Sequence, residues 1–127
     1  MTKSRFNALV FCLPLPDPRL SPNSRGHWAV KAKAVKAART AAKIEAIRVL
    51  DGNEPPRWQR AIFKLIFFFP DNREKDPDNC AASCKAYIDG LADARIVGND
   101  KNLWPERPVI FYRSKMPRVE IEIEPIC

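Results

Sequence analysis

The chain has 127 residues, with 22 Lys plus Arg against 15 Asp plus Glu and a formal net charge of +7. That length suits one domain, and 46% apolar with 29% charged residues excludes wholesale disorder, although 15 of the apolar residues are Ala and make a small core. No run approaches the roughly 20 apolar residues of a membrane span, and the surplus of base points to an anionic partner or only to a solvated surface.

The opening MTKSRFNALVFCLPLP imitates a signal peptide. Its apolar stretch is short and broken by Pro14 and Pro16, with no small-residue cleavage site after it, so it reads as a first strand over residues 7–13. The segment LPLPDPRLSPNSRG has prolines spaced too closely for a helix and reads as an extended loop. A turn from Ser21 to Gly26 leads into a long helix from about Trp28 to Leu50, rich in Ala, Lys and Arg. Trp28 is expected in the core. Asp51 to Pro56 ends the helix. Residues 60–69 (RAIFKLIFFF) are the most apolar run and predict a central strand, closed by Pro70.

A second helix is expected over residues 80–94, with Asp78 or Asn79 as its N-cap and Ala81, Cys84, Ile88 and Leu91 as its buried face. Gly98 and Asn99 mark a turn. Strands over 109–114 and 118–124 close the chain, the last alternating V-E-I-E-I-E with one wet face. The order β, α, β, α, β, β without internal repeat predicts one α+β domain over residues 1–127, with a small mixed or antiparallel sheet and two main helices.

Charge is segregated. Residues 1–50 hold ten bases, Lys3 and Arg5 among them, and only two acids, Asp17 and Glu45; the remaining residues carry a net −1. Within the long helix Lys36, Arg39 and Lys43 fall at i, i+3 and i+7, so one face can track a phosphate backbone or simply face water. Cys12, Cys80, Cys84 and Cys127 form no C-x-x-C pair and the single histidine, His27, lies far from them, which argues against structural zinc. Cys80 and Cys84 read as small core residues of a reduced cytosolic protein.

The sharpest local feature is Lys75-Asp76-Pro77-Asp78-Asn79, just after the most apolar strand. Pro77 favours extended backbone at Asp76, and in extended chain residues i and i+2 point the same way, so the two carboxylates are expected to converge. Close carboxylates repel unless a proton or cation lies between them, and oxygen-only ligands suit Mg²⁺ or Mn²⁺. Asp100, in the GND turn, is the candidate third acid. Lys85, seven residues after Asp78, is placed to lean back toward the same site and neutralise a phosphate. Such a site performs metal-assisted phosphodiester hydrolysis. D-x-D pairs also occur as ordinary loops and caps. A calcium loop is excluded, because Ala81 and Tyr87 stand where a Gly and a Glu are required.

KDPDN, followed by CKAYIDGLADARIVGND, resembles the core of the RusA family of Holliday-junction resolvases, common in bacteriophages and prophages. LPLPDPRLSPNSRGHW resembles the same family's proline-rich opening and its Asn-Ser-Arg-x-His-Trp element. The resemblance spans about two thirds of the chain. It implies a RusA-like fold and a Mg²⁺-dependent crossover junction endodeoxyribonuclease (Mn²⁺ a substitute), a homodimer acting on four-way DNA in recombination and repair. It implies work in the cytoplasm of a bacterial host. Asp76, Asp78 and Asp100 match the metal-binding acids. Lys85 matches the helix lysine, three residues further along than in some members, and Asp89 matches a supporting acid or forms an i,i+4 ion pair with Lys85. Asn23, Arg25, His27 and Lys75 then join Lys36, Arg39 and Lys43 as DNA contacts. The alternatives are a non-catalytic basic DNA-binding protein, or a RusA-like nuclease acting on other branched DNA.

Overall fold

The computed structural model describes residues 7–126; Lys3, Arg5 and Cys127 lie outside the described residues. Five strands form one mixed sheet: β1 (Leu9–Leu13), β2 (Ala61–Phe68), β3 (Leu103–Pro105), β4 (Val109–Phe111) and β5 (Arg118–Pro125). Its order is β1-β5-β2, and the far edge of β2 is shared end to end by β3 and β4, both parallel to it. β5 runs antiparallel to both of its neighbours. The helices are α1 (Trp28–Leu50), α2 (Pro77–Ser83) and α3 (Lys85–Asp93). This is the expected α+β fold. Among the described residues, no helix is long and apolar enough to cross a membrane.

β5 shows why the sheet has one dry face. Val119, Ile121 and Ile123 are fully buried, and the alternating Glu120, Glu122 and Glu124 point the other way, as a period of two requires. Phe11, Leu65 and Phe67 join the dry face from β1 and β2. α1 begins and ends where its sequence predicts. Its buried ladder is Ala34, Ala38, Ala42, Ala46 and Leu50, spaced by four along one face. Small side chains there let α3 approach closely. Gly90 is the consequence: a Cβ at this position would collide with the Arg39 carbonyl and the Ala42 methyl.

Other elements depart from expectation. The second helix starts at Pro77 with Asp76 as its N-cap, and not near Cys80 behind Asp78 or Asn79. It also breaks at Cys84. The Ser83 hydroxyl donates to the Asn79 carbonyl at 2.8 Å, and the Cys84 N–H turns back to Ala81, so the helix tightens, ends and restarts as α3. Cys84 is fully buried as expected, and desolvation pushes its thiol up to about 12. β3 was not anticipated, because three residues containing Pro105 give no strand pattern. Trp28, expected in the core, is 76% exposed, since it opens α1 ahead of the buried ladder that begins at Ala34.

One polar group is buried with purpose. Glu45 on α1 accepts the outward N–H of Cys12 at 2.7 Å, and Arg48 donates to the same carboxylate at 2.6 and 3.0 Å. It thereby satisfies a donor on β1, an edge strand whose free backbone groups invite unwanted pairing. The Arg48 bonds, aided by the Cys12 N–H and opposed by burial, hold the Glu45 carboxyl below its ordinary value of 4.5. Its stabilising contribution is therefore complete above the unfolded value and lost as pH falls through the lower folded one. In urea denaturation, Glu45→Gln is expected to cost about 1 kcal/mol at neutral pH, the difference between charged and neutral hydrogen bonds, and to converge on the wild type as pH falls through the folded Glu45 value. Gly90→Ala is expected to destabilise by about 2 kcal/mol or more, despite the better helix propensity of Ala, because a backbone carbonyl cannot move aside.

Candidate functional site

β2 delivers its chain into a charged segment whose geometry is set by three interactions. Lys75 is drawn inward, with its ammonium 2.8 Å from Asp71 and 4.7 Å from the centre of the Phe69 ring. Its hydrogen bond, with that of Arg73, holds the Asp71 carboxyl below its ordinary range. Asp76 follows in extended backbone, as Pro77 demands, and its Oδ1 accepts from the N–H groups of Asp78 (2.9 Å) and Asn79 (3.4 Å). Pro77 then occupies the first helical position, where its missing donor costs nothing.

Asp76 and Asp78 therefore do not share one extended stretch. Asp76 precedes the helix and Asp78 already lies in its first turn. The expectation of convergence from an extended i, i+2 pair does not apply, because the helix starts three residues early. Both carboxylates are exposed. The Asp78 carboxylate makes no hydrogen bond or ion pair among the described residues, and Asp76 keeps its second oxygen free of them. Asp76 borders a cavity of about 280 Å³ walled by Leu15, Pro16, Phe67, Phe69, Asn79 and Cys80.

Asp100 stands elsewhere. The turn that carries it precedes Leu103, which registers with Ala61 at the start of β2, whereas Asp76 emerges beyond the end of that strand. Asp100 lines a second, polar cavity of about 420 Å³ together with Arg39, Lys85, Asp89, Asp93 and Asn99. Here Lys85 is 80% exposed and lies 3.4 Å from Asp89, so it turns toward its own helix and this cavity rather than back to Asp76. Among the described residues, no three Asp, Glu, His or Cys side chains gather into a group able to hold a metal ion. The all-oxygen donors of Asp76 and Asp78 still fit Mg²⁺, which is commonly held by one or two carboxylates with water and substrate phosphate completing its shell.

The basic face of α1 is partly spent within the molecule. Arg39 forms a two-pronged pair with Asp93, Nη2 to Oδ1 at 2.9 Å, and Lys43 approaches the same carboxylate at 3.6 Å. Arg39 holds the Asp93 carboxyl below its ordinary range, and Asp93 in turn raises Arg39. Asp93 was not singled out from the sequence, although it lies one turn after Asp89 on the same helical face. Lys36 is exposed and has no ion pair among the described residues. Asn23, Arg25 and His27 are exposed ahead of α1. His27 is its N-cap, its Nδ1 accepting from Ala29 N–H at 3.2 Å, and its ring stacks on Trp28 with centroids 5.6 Å apart.

No protein-family model matches the chain. It is 39% identical over 99 residues to an uncharacterized protein of Xylella fastidiosa (strain Temecula1), a match covering 77% of this chain and 63% of that protein's length.

The two aspartates differ in structural duty. Asp76→Ala is expected to lose a helix cap and about 1 kcal/mol of stability. Asp78→Ala is expected to lose only a dipole interaction of about 0.5 kcal/mol. Asp76→Asn should retain the cap. Chemical denaturation of the three variants checks this ranking.

Proposed function

We propose that the protein is a Mg²⁺-dependent nuclease of branched DNA, with the four-way junction as its first substrate and a homodimer as its working form. The observation that carries this reading is the pair Asp76 and Asp78 at the exit of the central strand, exposed and with free oxygens, in a motif resembling that of the RusA resolvases. When bound, Mg²⁺ supplies an activated water and screens charge on the phosphate. The chain's own part is to offer hard oxygen donors and to hold them still. Asp76 is fixed by its cap hydrogen bonds, and Lys75 is withdrawn from the solvent side by Asp71 and Phe69. Asp100, on the other cavity, acts separately from this pair within one chain, with the exposed Lys85 lining the same cavity as a cation for a phosphate.

A two-fold dimer suits paired cuts, since it presents two equal sites to opposing strands. Phosphates of the junction arms are held by exposed bases ahead of and along α1, including Arg25 and Lys36, in a salt-dependent manner. The competing reading, a DNA-binding protein without catalysis, is favoured by one specific fact: the Asp76 carboxylate already has a structural task as a cap.

The two readings part at Asp76→Asn, which keeps the fold and removes the charge. Nicking of a synthetic four-way junction with Mg²⁺ is expected to fall by about two orders of magnitude or more, beyond the 10–100-fold typical of outer-shell changes. Junction binding should persist or tighten as repulsion of phosphate falls. Equal nicking by both proteins, or none by the wild type with Mg²⁺ or Mn²⁺, defeats the nuclease reading. Four-way, flap and linear substrates measured side by side identify the preferred branched form.

A further inference from the structure

α1 and α3 cover one face of the sheet. The upper end of the opposite face carries a row of three side chains drawn from adjacent strands. Phe68 of β2 registers with Arg118 of β5 on one side and with Phe111 of β4 on the other. The Arg118 guanidinium lies 3.8 Å from the centre of the Phe68 ring. Phe68 and Phe111 stack with centroids 5.2 Å apart and planes 17° from parallel. β4 is the edge of the sheet here, so the stack ends in Phe111, which is 50% exposed. Tyr112 and Met116, also exposed, follow in the connection to β5.

The charge around this stack is one-sided. Residues 107–118 (RPVIFYRSKMPR) contain four bases and no acid, a basic run hidden in the half of the chain that is neutral overall. Arg113 and Lys115 are exposed in the turn after β4. Two carboxylates of the adjoining elements are already paired, Glu120 with Arg118 at 2.9 Å and Asp71 with Lys75 at 2.8 Å. Glu122 and Glu124 lie further along β5, opposite Lys64 and Ile62. The turn is also tied to the route into the aspartate motif. Arg113 N–H donates to the Asp71 carbonyl at 3.0 Å and Ser114 N–H to the Phe69 carbonyl at 2.9 Å.

We propose that this surface binds single-stranded DNA, with an unpaired nucleobase stacked on Phe111 and the flanking phosphates held by Arg113 and Lys115. An open aromatic ring at the end of a stack accepts the π-face of any base, and the exposed cations in the turn beside it favour a polyanion over an apolar protein surface. Duplex DNA hides its base faces, so the surface discriminates in favour of unpaired segments such as those at a branch point. The inference deepens the reading above and rests on DNA as the partner, but it does not depend on cleavage.

The test is fluorescence anisotropy in EDTA with labelled oligothymidylate of about 16 nucleotides, enough for one site, beside a hairpin-closed duplex. Phe111→Ala is expected to weaken oligothymidylate binding about tenfold with little change in salt dependence. Phe111→Trp should retain it, and duplex binding should change by less than about twofold. The double variant Arg113→Gln, Lys115→Gln should make the salt dependence shallower by one to two contacts. Wild-type-like binding by Phe111→Ala overturns the proposal, as does an equal loss on duplex. Sedimentation in which Phe111→Ala converts a dimer to a monomer, with oligothymidylate affinity per chain unchanged, also overturns it and assigns the ring to a self-interface. Should Phe111→Ala fail to fold, the surface charge pair and Phe111→Trp still decide the matter. Junction nicking is scored separately: the expected binding pattern without nicking leaves this inference standing and removes the nuclease reading, and nicking with a neutral Phe111→Ala does the reverse.

Discussion

The closeness of α1 to α3 at Gly90 constrains the rest of the molecule. A row of alanines on α1 and the absence of a side chain on α3 let two backbones meet where ordinary residues would hold them apart. Little apolar area is buried per residue by such a contact, so its strength comes from shape and dispersion between close atoms. That proximity brings Asp93 within reach of Arg39 and Lys43 and shapes the polar cavity shared with Lys85, Asp89 and Asp100. The same helix also delivers Glu45 to the edge of β1. A single helix thus sets the core, guards a strand edge and builds one wall of a charged cleft.

The electrostatics are distributed between two ends of the central strand. Beyond its last residue lie Asp76, Asp78 and the basic, aromatic turn after β4; near its first residue lies Asp100 with its own cluster of paired charges. Two of the six bases on α1, Arg39 and Lys43, already share Asp93, so the count of bases on this helix overstates what it offers to a polyanion. Conversely, the neutral C-terminal half conceals four bases in twelve residues, presented beside open aromatic rings. Net charge is a sum, and binding depends on where the uncompensated charges stand.

Much of the fold was legible because its signals are local. Eight alanines among lysines and arginines fix α1, the Ile and Phe run fixes β2, and the V-E-I-E-I-E alternation fixes β5 and its dry face. The failures are equally specific. Local propensity starts the helix after Pro77 too late, behind Asp78 or Asn79, whereas Asp76 before the proline caps it. Its break at Cys84 depends on the Ser83 hydroxyl, and β3 exists only because β2 offers an edge to a segment with no strand character of its own. In the candidate site, the extended backbone at Asp76 before Pro77 follows from sequence, but the place of Asp78 within the helix, the turn of Lys85 toward Asp89 and the separation of Asp100 from the pair do not.

By itself the sequence determined the fold class, the central strand, the long helix and the presence of a paired acidic motif on exposed chain, since each follows from spacing and propensity within a short window. Tertiary structure alone decided which charges meet. Arg39 is 54 residues from Asp93, and the two touch only because small residues let α1 and α3 close together. Asp76 and Asp100 are near in sequence and stand beyond opposite ends of one strand, because the crossover through α2 and α3 returns the chain to the start of β2 before β3 can pair in parallel. Sequence distance carries no information about such pairings; the direction of the strands does.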